Sequence, residues 1–216
     1  MVNLKYAMAA VLTVSMFFIV LSVIDYMDMQ RVLRFSNDLA SFSTGAQDLQ
    51  SAVAMIQLEK GNPEYCSIVD SAYYQQIGQT NSLMEKMLGY ERANLFAEFF
   101  ALKRQFLLSN IQLWQVSQME RQYCYADHSD LMYIYSSNPS CSDCQVQGRI
   151  IDTVRANCSN VRVFVMDIEE NMTSLDIIKK KYNVTSAPEL VIDGKTYQGV
   201  MDEAAIRKAV SCPVSG

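Results

Sequence analysis

The sequence predicts an α/β domain at its C-terminal end, preceded by one transmembrane helix and an all-α helical region. Three observations carry this prediction: an uncharged apolar run near the N-terminus, a long stretch with few helix breakers after it, and short strand-like and helical segments that alternate in the last part of the chain. We therefore divide the chain into an anchor (1–24), a helical stalk or bundle (25–124), a joint (125–130) and a C-terminal domain (131–216).

The composition is that of a compact chain without a basic surface. Of 216 residues, 50% are hydrophobic and 19% charged, the net charge is −5, and there are 8 Gly and 4 Pro. Acidic residues outnumber basic residues in both halves, which argues against a nucleic-acid partner, because phosphate neutralisation needs clustered Lys and Arg. The 6 cysteines allow disulfides in an oxidising compartment or thiol and metal chemistry.

Residues 7–24 form the predicted membrane anchor. The run AMAAVLTVSMFFIVLSVI carries no charge, and Lys5 and Asp25 bound it. A helix over this run is about 27 Å long, close to the ~30 Å hydrocarbon core, and Tyr6 and Tyr26 suit the two interfaces. A cleavable signal peptide is the competing interpretation, although its apolar core is shorter and no small-residue cleavage site follows here. Positive residues flank both ends, so they do not decide the orientation.

The stalk is predicted to contain three helices, the first of them a candidate for continuing the anchor. The Gly-Asn-Pro triplet at 61–63 is typical of a helix end followed by a helix start. The second helix is expected from Pro63 towards Leu88, with a candidate break near Gly78, and the third from Glu91 to Tyr123. The result is an antiparallel hairpin or three-helix bundle, which is also a candidate surface for self-association.

Two cysteines fall at matching ends of this arrangement. Cys66 lies in the first turn of the second helix, and Cys124 lies at the end of the third. Because an up-and-down connection brings these two ends together, we predict a structural disulfide between Cys66 and Cys124. Such a bridge would close a long loop and stabilise the fold. Two free buried cysteines are the alternative.

After the joint, strands and helices alternate. Asp193-Gly194 is typical of a tight hairpin turn. The alternation predicts a parallel strand pair with right-handed crossovers, to which the hairpin adds antiparallel strands. The expected strands are 131–135, 161–167, 189–192 and 196–200, and the expected helices are 141–156, 173–182 and 202–210.

The motifs in this part of the chain resemble a known fold. A strand and loop lead to Cys141-Ser142-Asp143-Cys144 at a helix start, and Thr185-Ser186-Ala187-Pro188 leads into the strand before the Asp-Gly hairpin. This order of elements and motifs, over residues 130–211, resembles the thioredoxin-like superfamily. Residues 1–124 show no comparable resemblance.

The spacing of the cysteine pair predicts its chemistry. Cysteines at i and i+3 in the first turn of a helix share one face, and the free backbone N–H groups there stabilise a thiolate. Cys141 would be the exposed attacking sulfur, and Cys144 would resolve the mixed disulfide with a substrate. A permanent disulfide and half of a metal site are the alternatives. A closed zinc site needs four ligands and no second pair follows, so we predict no metal; copper held by Cys141, Cys144 and His128 is a remote option. His128 itself is expected to be a solvated loop residue.

The resemblance also implies a substrate edge. In thioredoxin-like proteins the proline that matches Pro188 is cis and lies beside the active cysteines, so Ala187 and Pro188 are expected to bind an extended peptide. A trans proline is the alternative. The sequence departs from thioredoxin itself, which has Gly-Pro between its cysteines and a buried aspartate where Tyr135 stands. Here Ser142 could donate a hydrogen bond to the Cys141 thiolate, whereas an ionised Asp143 would disfavour it.

The implied fold assigns the remaining cysteines. Cys158 and Cys212 end two helices that pack on the same face of a thioredoxin-like sheet and run away from the active-site edge. We therefore predict a structural disulfide between Cys158 and Cys212. Three pairs without a remainder suit an oxidising exterior, which places the N-terminus inside and the C-terminal domain outside the cytoplasm on a single-pass anchor.

These features predict a membrane-tethered, extracytoplasmic thiol:disulfide oxidoreductase. Its partners would be protein thiols or disulfides and a redox partner, and it would need no cofactor. The alternative function is a non-catalytic anchored interaction protein whose thioredoxin-like module only binds peptide.

Overall fold

The structure is a computed structural model that describes residues 2–58 and 62–212, with side chains from residue 6 onward. It divides into two compact units, Met1–Thr44 and Gly45–Gly216. The secondary-structure elements are α1 (Val2–Leu58), α2 (Tyr65–Arg92), α3 (Phe96–Tyr123), β1 (Ser129–Tyr135), α4 (Ser142–Asn157), β2 (Val161–Asp167), α5 (Thr173–Tyr182), β3 (Glu189–Ile192), β4 (Lys195–Gln198) and α6 (Glu203–Ala209).

The first unit consists of the N-terminal part of helix α1, up to Thr44. Over Tyr6–Leu58 this helix contains an 18-residue window with a mean hydropathy of 2.5, none of which is buried. By length and composition it is therefore the one helix among the described residues that could cross a membrane. The helix continues without a break from the apolar run into the region that was expected to form the first stalk helix.

In the second unit, α2 and α3 form an antiparallel pair. A disulfide joins Cys66 at the start of α2 to Cys124 at the end of α3. The C-terminal part of α1 also contributes to the core, through the buried side chains of Leu49 and Ile56. The antiparallel hairpin expected from the sequence is thus present, and the last turns of α1 pack with it.

The expected boundaries of α2 and α3 are wrong at two points. Helix α2 runs unbroken through Gly78 to Arg92, because Gly78 faces open space while the flanking Gln76, Thr80 and Leu83 are buried and hold the helix in place. The chain turns only at Asn94, whose φ of 57° is left-handed, and α3 starts at Phe96 rather than at Glu91.

The C-terminal part contains a four-stranded sheet in the order β2-β1-β3-β4. Strands β1 and β2 are parallel, with Leu131 opposite Val163, and β3 pairs antiparallel with both β1 and β4. This is the α/β arrangement that the sequence predicts, with β1 extended to Ser129 and β4 shortened to Lys195–Gln198.

The two faces of the sheet are covered differently. On one face, Leu131, Tyr133, Leu190 and Ile192 form a core with residues of α4 and α6. On the other face, Met132, Ile134, Phe164 and Met166 belong to a buried cluster that contains residues of both α5 and α3. Helix α3, which precedes the sheet in sequence, therefore forms part of its core; the buried residues of α3 in this cluster include Leu107, Ile111, Leu113 and Val116.

Polar contacts also join α3 to strand β2. Asn110 Oδ1 accepts a hydrogen bond of 3.2 Å from the backbone N–H of Val165. Further towards the C-terminus of α3, Glu120 Oε2 lies 2.6 Å from Arg162 Nη1, and the Arg162 guanidinium stacks 3.7 Å from the centroid of the Tyr73 ring. These contacts are directional, so they specify where along β2 the helix packs.

His128 is not the solvated loop residue expected from the sequence. Its side chain is 8% exposed, and Nε2 lies 2.9 Å from Ser117 Oγ on α3. Burial, together with the nearby Arg162 cation, lowers the pKa of His128 to about 4, so its imidazole is neutral at pH 7. His128 is buried because α3 packs against the sheet next to it. The polar residues beside His128 in sequence gave no sign of this packing.

If α3 is a structural layer of the C-terminal domain, truncating its core side chain should destabilise the sheet. Leu107 is 1% exposed, and we expect Leu107→Ala to reduce the free energy of unfolding by about 2–5 kcal/mol. Thermal unfolding and hydrogen exchange of the full chain in detergent measure this, with faster exchange expected at the amides of β2. Arg104→Ala, on the exposed side of the same helix, is the control. Unchanged exchange in β2 would contradict the packing.

Candidate active site

The cysteine pair lies at the start of α4, directly after the loop that leaves β1. Cys141 is the N-cap residue of α4, and Cys144 lies in its first turn. The two are joined by a disulfide with their Cα atoms 5.3 Å apart. Cys144 is buried and 5% exposed, whereas Cys141 is half-buried. The first cysteine is therefore the more accessible sulfur, at a helix end where free N–H groups favour a thiolate.

The loop before the pair is ordered by Asn138. Its Oδ1 accepts hydrogen bonds from the N–H and hydroxyl of Ser140, at 3.0 and 2.8 Å. Its backbone carbonyl accepts one of 2.9 Å from the N–H of Cys141. These short-range bonds turn the chain between β1 and α4, and they place Cys141 at the helix start.

Two groups contact Cys144. The backbone N–H of Ser136 donates to Cys144 Sγ at 3.4 Å, and the Tyr133 hydroxyl donates to the Cys144 carbonyl. Burial raises the pKa of Tyr133 to about 12, so the phenol remains protonated and able to donate at neutral pH. Burial also raises the pKa of Tyr135.

Asp167 supports the loop from the end of β2. Its carboxylate is fully buried, and it accepts from the N–H groups of Ser137 at 3.3 Å and Glu169 at 3.1 Å. Lys103 of α3 forms an ion pair with its other oxygen. Burial alone would raise the pKa of Asp167, but the hydrogen bonds from Lys103 and the two N–H groups outweigh it, so the pKa is lowered and the group is ionised.

The predicted substrate edge lies beside Cys141. The Ala187–Pro188 peptide bond is cis, and the Ala187 carbonyl oxygen is 3.9 Å from Cys141 Sγ. Pro188 is buried and Ala187 is half-buried. The structure thus brings Ala187 and Pro188 together with the cysteine pair, and it places Ser142 and Asp143 on the exposed surface between the two cysteines.

Glu189 holds the segment that leads to this edge. The side chain is fully buried, and its Oε1 accepts from the N–H groups of Thr185 at 3.2 Å and Ser186 at 2.9 Å. The Ser186 hydroxyl donates to the same oxygen at 2.7 Å. One carboxylate oxygen therefore binds the two residues just before Ala187. These hydrogen bonds fix the conformation of the backbone that faces Cys141.

Gln147 orders a third segment near the pair. It lies one turn after Cys144, is fully buried, and its Oε1 accepts the N–H of Met201 at 2.7 Å. This bond ties the chain between β4 and α6 to the helix that carries the cysteines.

The other cysteines are paired away from this site. Disulfides join Cys66 to Cys124 and Cys158 to Cys212, with Cα–Cα distances of 5.8 and 5.6 Å. Cys158 and Cys212 are buried at the ends of α4 and α6. No group of three or more His, Cys, Asp and Glu side chains could hold a metal ion within the described part of the chain.

The geometry excludes the copper arrangement considered from the sequence. His128 precedes β1, whereas Cys141 follows it, and the strand has 7 residues. At ~3.3 Å per residue, the two ends of β1 are about 20 Å apart. His128 and the cysteine pair therefore cannot ligate one ion.

The fold and the cysteine pair define a thioredoxin-like redox domain, and comparison with known proteins agrees. Residues 133–211 match the family model of the thioredoxin domain, so this segment is thioredoxin-like. No curated protein sequence gives a significant match. A thioredoxin-like domain with a Cys-x-x-Cys pair supports thiol:disulfide oxidoreductase activity at the level of the family.

Two solved structures are similar to the same part of the chain. A chloroplastic thioredoxin z has 19% identity and a TM-score of 0.34, covering 44% of this chain and 86% of its own. Mitochondrial thioredoxin 3 from Saccharomyces cerevisiae, in its oxidised form, has 21% identity and a TM-score of 0.31, covering 44% of this chain and 88% of its own.

Several residues that build the site were not singled out from the sequence: Lys103, Tyr133, Asp167, Gln147 and Glu189. Only Glu189 carries a local signal, because an acidic residue directly after Pro188 and at the start of an apolar strand is unexpected unless it is hydrogen-bonded. The others depend on which element packs against which, and the sequence pattern alone does not contain that information.

The role of Glu189 can be tested by removing its carboxylate. Glu189→Ala removes the carboxylate that accepts the hydrogen bonds of Thr185 and Ser186, and we expect a loss of roughly 1–3 kcal/mol in the free energy of unfolding. Hydrogen exchange at the amides of Thr185 and Ser186 should become faster. Thr185→Val is the matched control, because it removes only the longest of these contacts, the 3.4 Å hydroxyl bond. Equal effects of the two variants would refute the assignment.

Proposed function

We propose that this protein is a membrane-tethered thiol:disulfide oxidoreductase that acts on protein thiols and disulfides outside the cytoplasm. The observation that carries the proposal is the pair itself. A half-buried Cys141 caps the start of α4, a buried Cys144 lies in its first turn, and the Ala187 carbonyl lies 3.9 Å from the first sulfur.

The chemistry follows from the two sulfurs. In the reductive direction, the Cys141 thiolate attacks a substrate disulfide, forming a mixed disulfide and releasing one substrate thiolate, which takes up a proton. The Cys144 thiolate then attacks Cys141 Sγ, and the second substrate thiolate leaves. Two electrons pass from the pair to the substrate, and the pair becomes the disulfide seen in the structure. The reverse sequence oxidises a substrate dithiol.

The surroundings suit these roles. Cys144 accepts the Ser136 N–H at 3.4 Å, which would stabilise negative charge on the resolving sulfur. The backbone at Ala187 offers polar groups beside Cys141, where an extended substrate chain would bind. Ser142 and Asp143 are exposed next to the attacking sulfur, so they would tune its reactivity and meet the substrate. A second redox protein would return the pair to its starting state.

The tether and the compartment are supported by other features. The apolar part of α1 has the length and hydropathy of a membrane span. All 6 cysteines are accounted for by three disulfides, and such pairing persists in oxidising compartments. On this proposal the N-terminus faces the cytoplasm, and the thioredoxin-like segment lies on the opposite side.

The catalytic assignment is tested by trapping. Cys144→Ser removes the resolving thiol, so we expect mixed disulfides between Cys141 and substrate proteins, seen as reductant-sensitive adducts on gels and identified by mass spectrometry. Cys141→Ser is the matched control and should form no adducts. If cellular function survives in Cys141→Ser, the protein is a non-catalytic peptide-binding module. A wild-type pair that exchanges no disulfide with a dithiol peptide, with both thiols accessible, would sink the enzyme assignment.

The tether is tested by charge insertion. Two arginines in place of Phe17 and Phe18 would each cost about 2.5–3.5 kcal/mol at the centre of a span, so we expect the double variant to leave the membrane fraction. The wild-type chain should resist alkaline extraction and retain residues 1–24 by intact mass. A mature wild-type protein that lacks these residues would show a cleaved signal peptide instead. In sealed vesicles, protease should remove the C-terminal domain only when the extracytoplasmic face is outside.

A further inference from the structure

Helix α3 reaches the cysteine end of the sheet through one buried cation. Lys103 is 4% exposed, although it lies in a helix outside the thioredoxin-like segment. Its Nζ pairs with Asp167 and lies 3.4 Å from Glu170 Oε1. A lysine is rarely buried unless it is paired, and this one is directed at the strand end that supports the active-site loop.

A short series of contacts connects this ion pair to a reacting sulfur. Asp167 Oδ1 accepts the N–H of Ser137 at 3.3 Å. The preceding residue, Ser136, donates its N–H to Cys144 Sγ at 3.4 Å and its hydroxyl to Glu169 at 2.6 Å. Two consecutive backbone N–H groups are thus divided between the buried carboxylate and the sulfur. Because the two residues are adjacent, the hydrogen bond that holds the Ser137 N–H also orients the Ser136 N–H.

We propose that Lys103 is a positioning residue for the redox reaction, acting through Asp167 and the Ser136–Ser137 backbone on Cys144. This inference rests on the proposed function. A thiolate accepts a hydrogen bond more strongly than a disulfide sulfur does, so the Ser136 N–H stabilises the reduced pair more than the oxidised pair. By keeping the loop in place, Lys103 shifts the equilibrium between the two states. The helical layer then takes part in setting the redox balance of the site.

The direction of the effect follows from the charges. Without the Lys103 cation, the buried Asp167 either takes up a proton or remains an uncompensated anion. A protonated carboxyl would hold the Ser137 N–H less strongly, and the loop would loosen its contact with the sulfur. An unpaired anion would oppose negative charge on the nearby thiolates. In both cases the reduced pair is destabilised and the disulfide is favoured.

The experiment measures the thiol–disulfide equilibrium of the full-length chain with glutathione, in detergent. The readout is the fraction of Cys141 and Cys144 that is alkylated, resolved from the other cysteines by peptide mass. For Lys103→Met we expect the equilibrium constant for forming the disulfide to rise about fivefold, the effect of one net hydrogen bond. The alkylation of Cys144 should also shift to higher pH, because its thiolate loses the support of the Ser136 N–H.

Two variants separate positioning from packing. Lys103→Arg keeps the cation, and it should return the equilibrium constant to within about twofold of wild type. Glu120→Gln breaks the other ion pair between α3 and β2, to Arg162, at the opposite end of the same helix. We expect Glu120→Gln to lower thermal stability without moving the glutathione equilibrium.

An unchanged equilibrium in a folded Lys103→Met variant would overturn the inference. If that variant does not fold, the double variant Lys103→Met/Asp167→Asn removes both charges, and it should still raise the constant; no change there overturns the inference as well. The proposed function has a separate test, because it requires the wild-type chain to exchange disulfides with protein substrates. A wild-type pair that never exchanges with glutathione would refute both.

Discussion

The sheet of the C-terminal domain has an apolar face that must be covered, and the rest of the structure depends on how α3 covers it. Burial of Met132, Phe164 and their neighbours is the dominant favourable contribution, because removing apolar surface from water drives packing without regard to direction. The element order after residue 129 provides α5 for this face, and α3 completes the layer. The helical region is therefore part of the domain core, not a spacer that holds a separate redox module.

Polar contacts give this packing its register. Three side chains of α3 meet β2 in antiparallel order: Lys103 at Asp167, Asn110 at Val165 and Glu120 at Arg162. Buried polar groups cost free energy unless they are paired, so a shifted helix would leave several of them unsatisfied. The same contacts that specify where α3 packs also place a cation beside the loop that carries the cysteines. On the role proposed for Lys103, stability and redox chemistry would depend on the same interface.

Local features of this fold could be predicted from the sequence, whereas features that depend on packing partners could not. Strand and helix order, the Asp-Gly hairpin and the Cys141–Cys144 motif follow from periodicity and turn residues within short windows. The break expected at Gly78 was wrong because buried neighbours outweigh the weak helix propensity of one glycine. Lys103 and His128 look like ordinary polar surface residues in sequence, and only the packing of α3 on the sheet shows that they are buried.

Asn110 has a consequence for solubility. Strand β2 is an edge of the sheet, and an edge presents unpaired N–H groups to which another extended chain can add. Because the Asn110 amide oxygen accepts the Val165 N–H, a helix side chain occupies a position that a foreign strand would use. The opposite edge, β4, has only 4 residues and carries Lys195, features that discourage pairing. On the proposed function, which brings other protein chains to this domain, both edges of the sheet would thus be guarded against pairing with them.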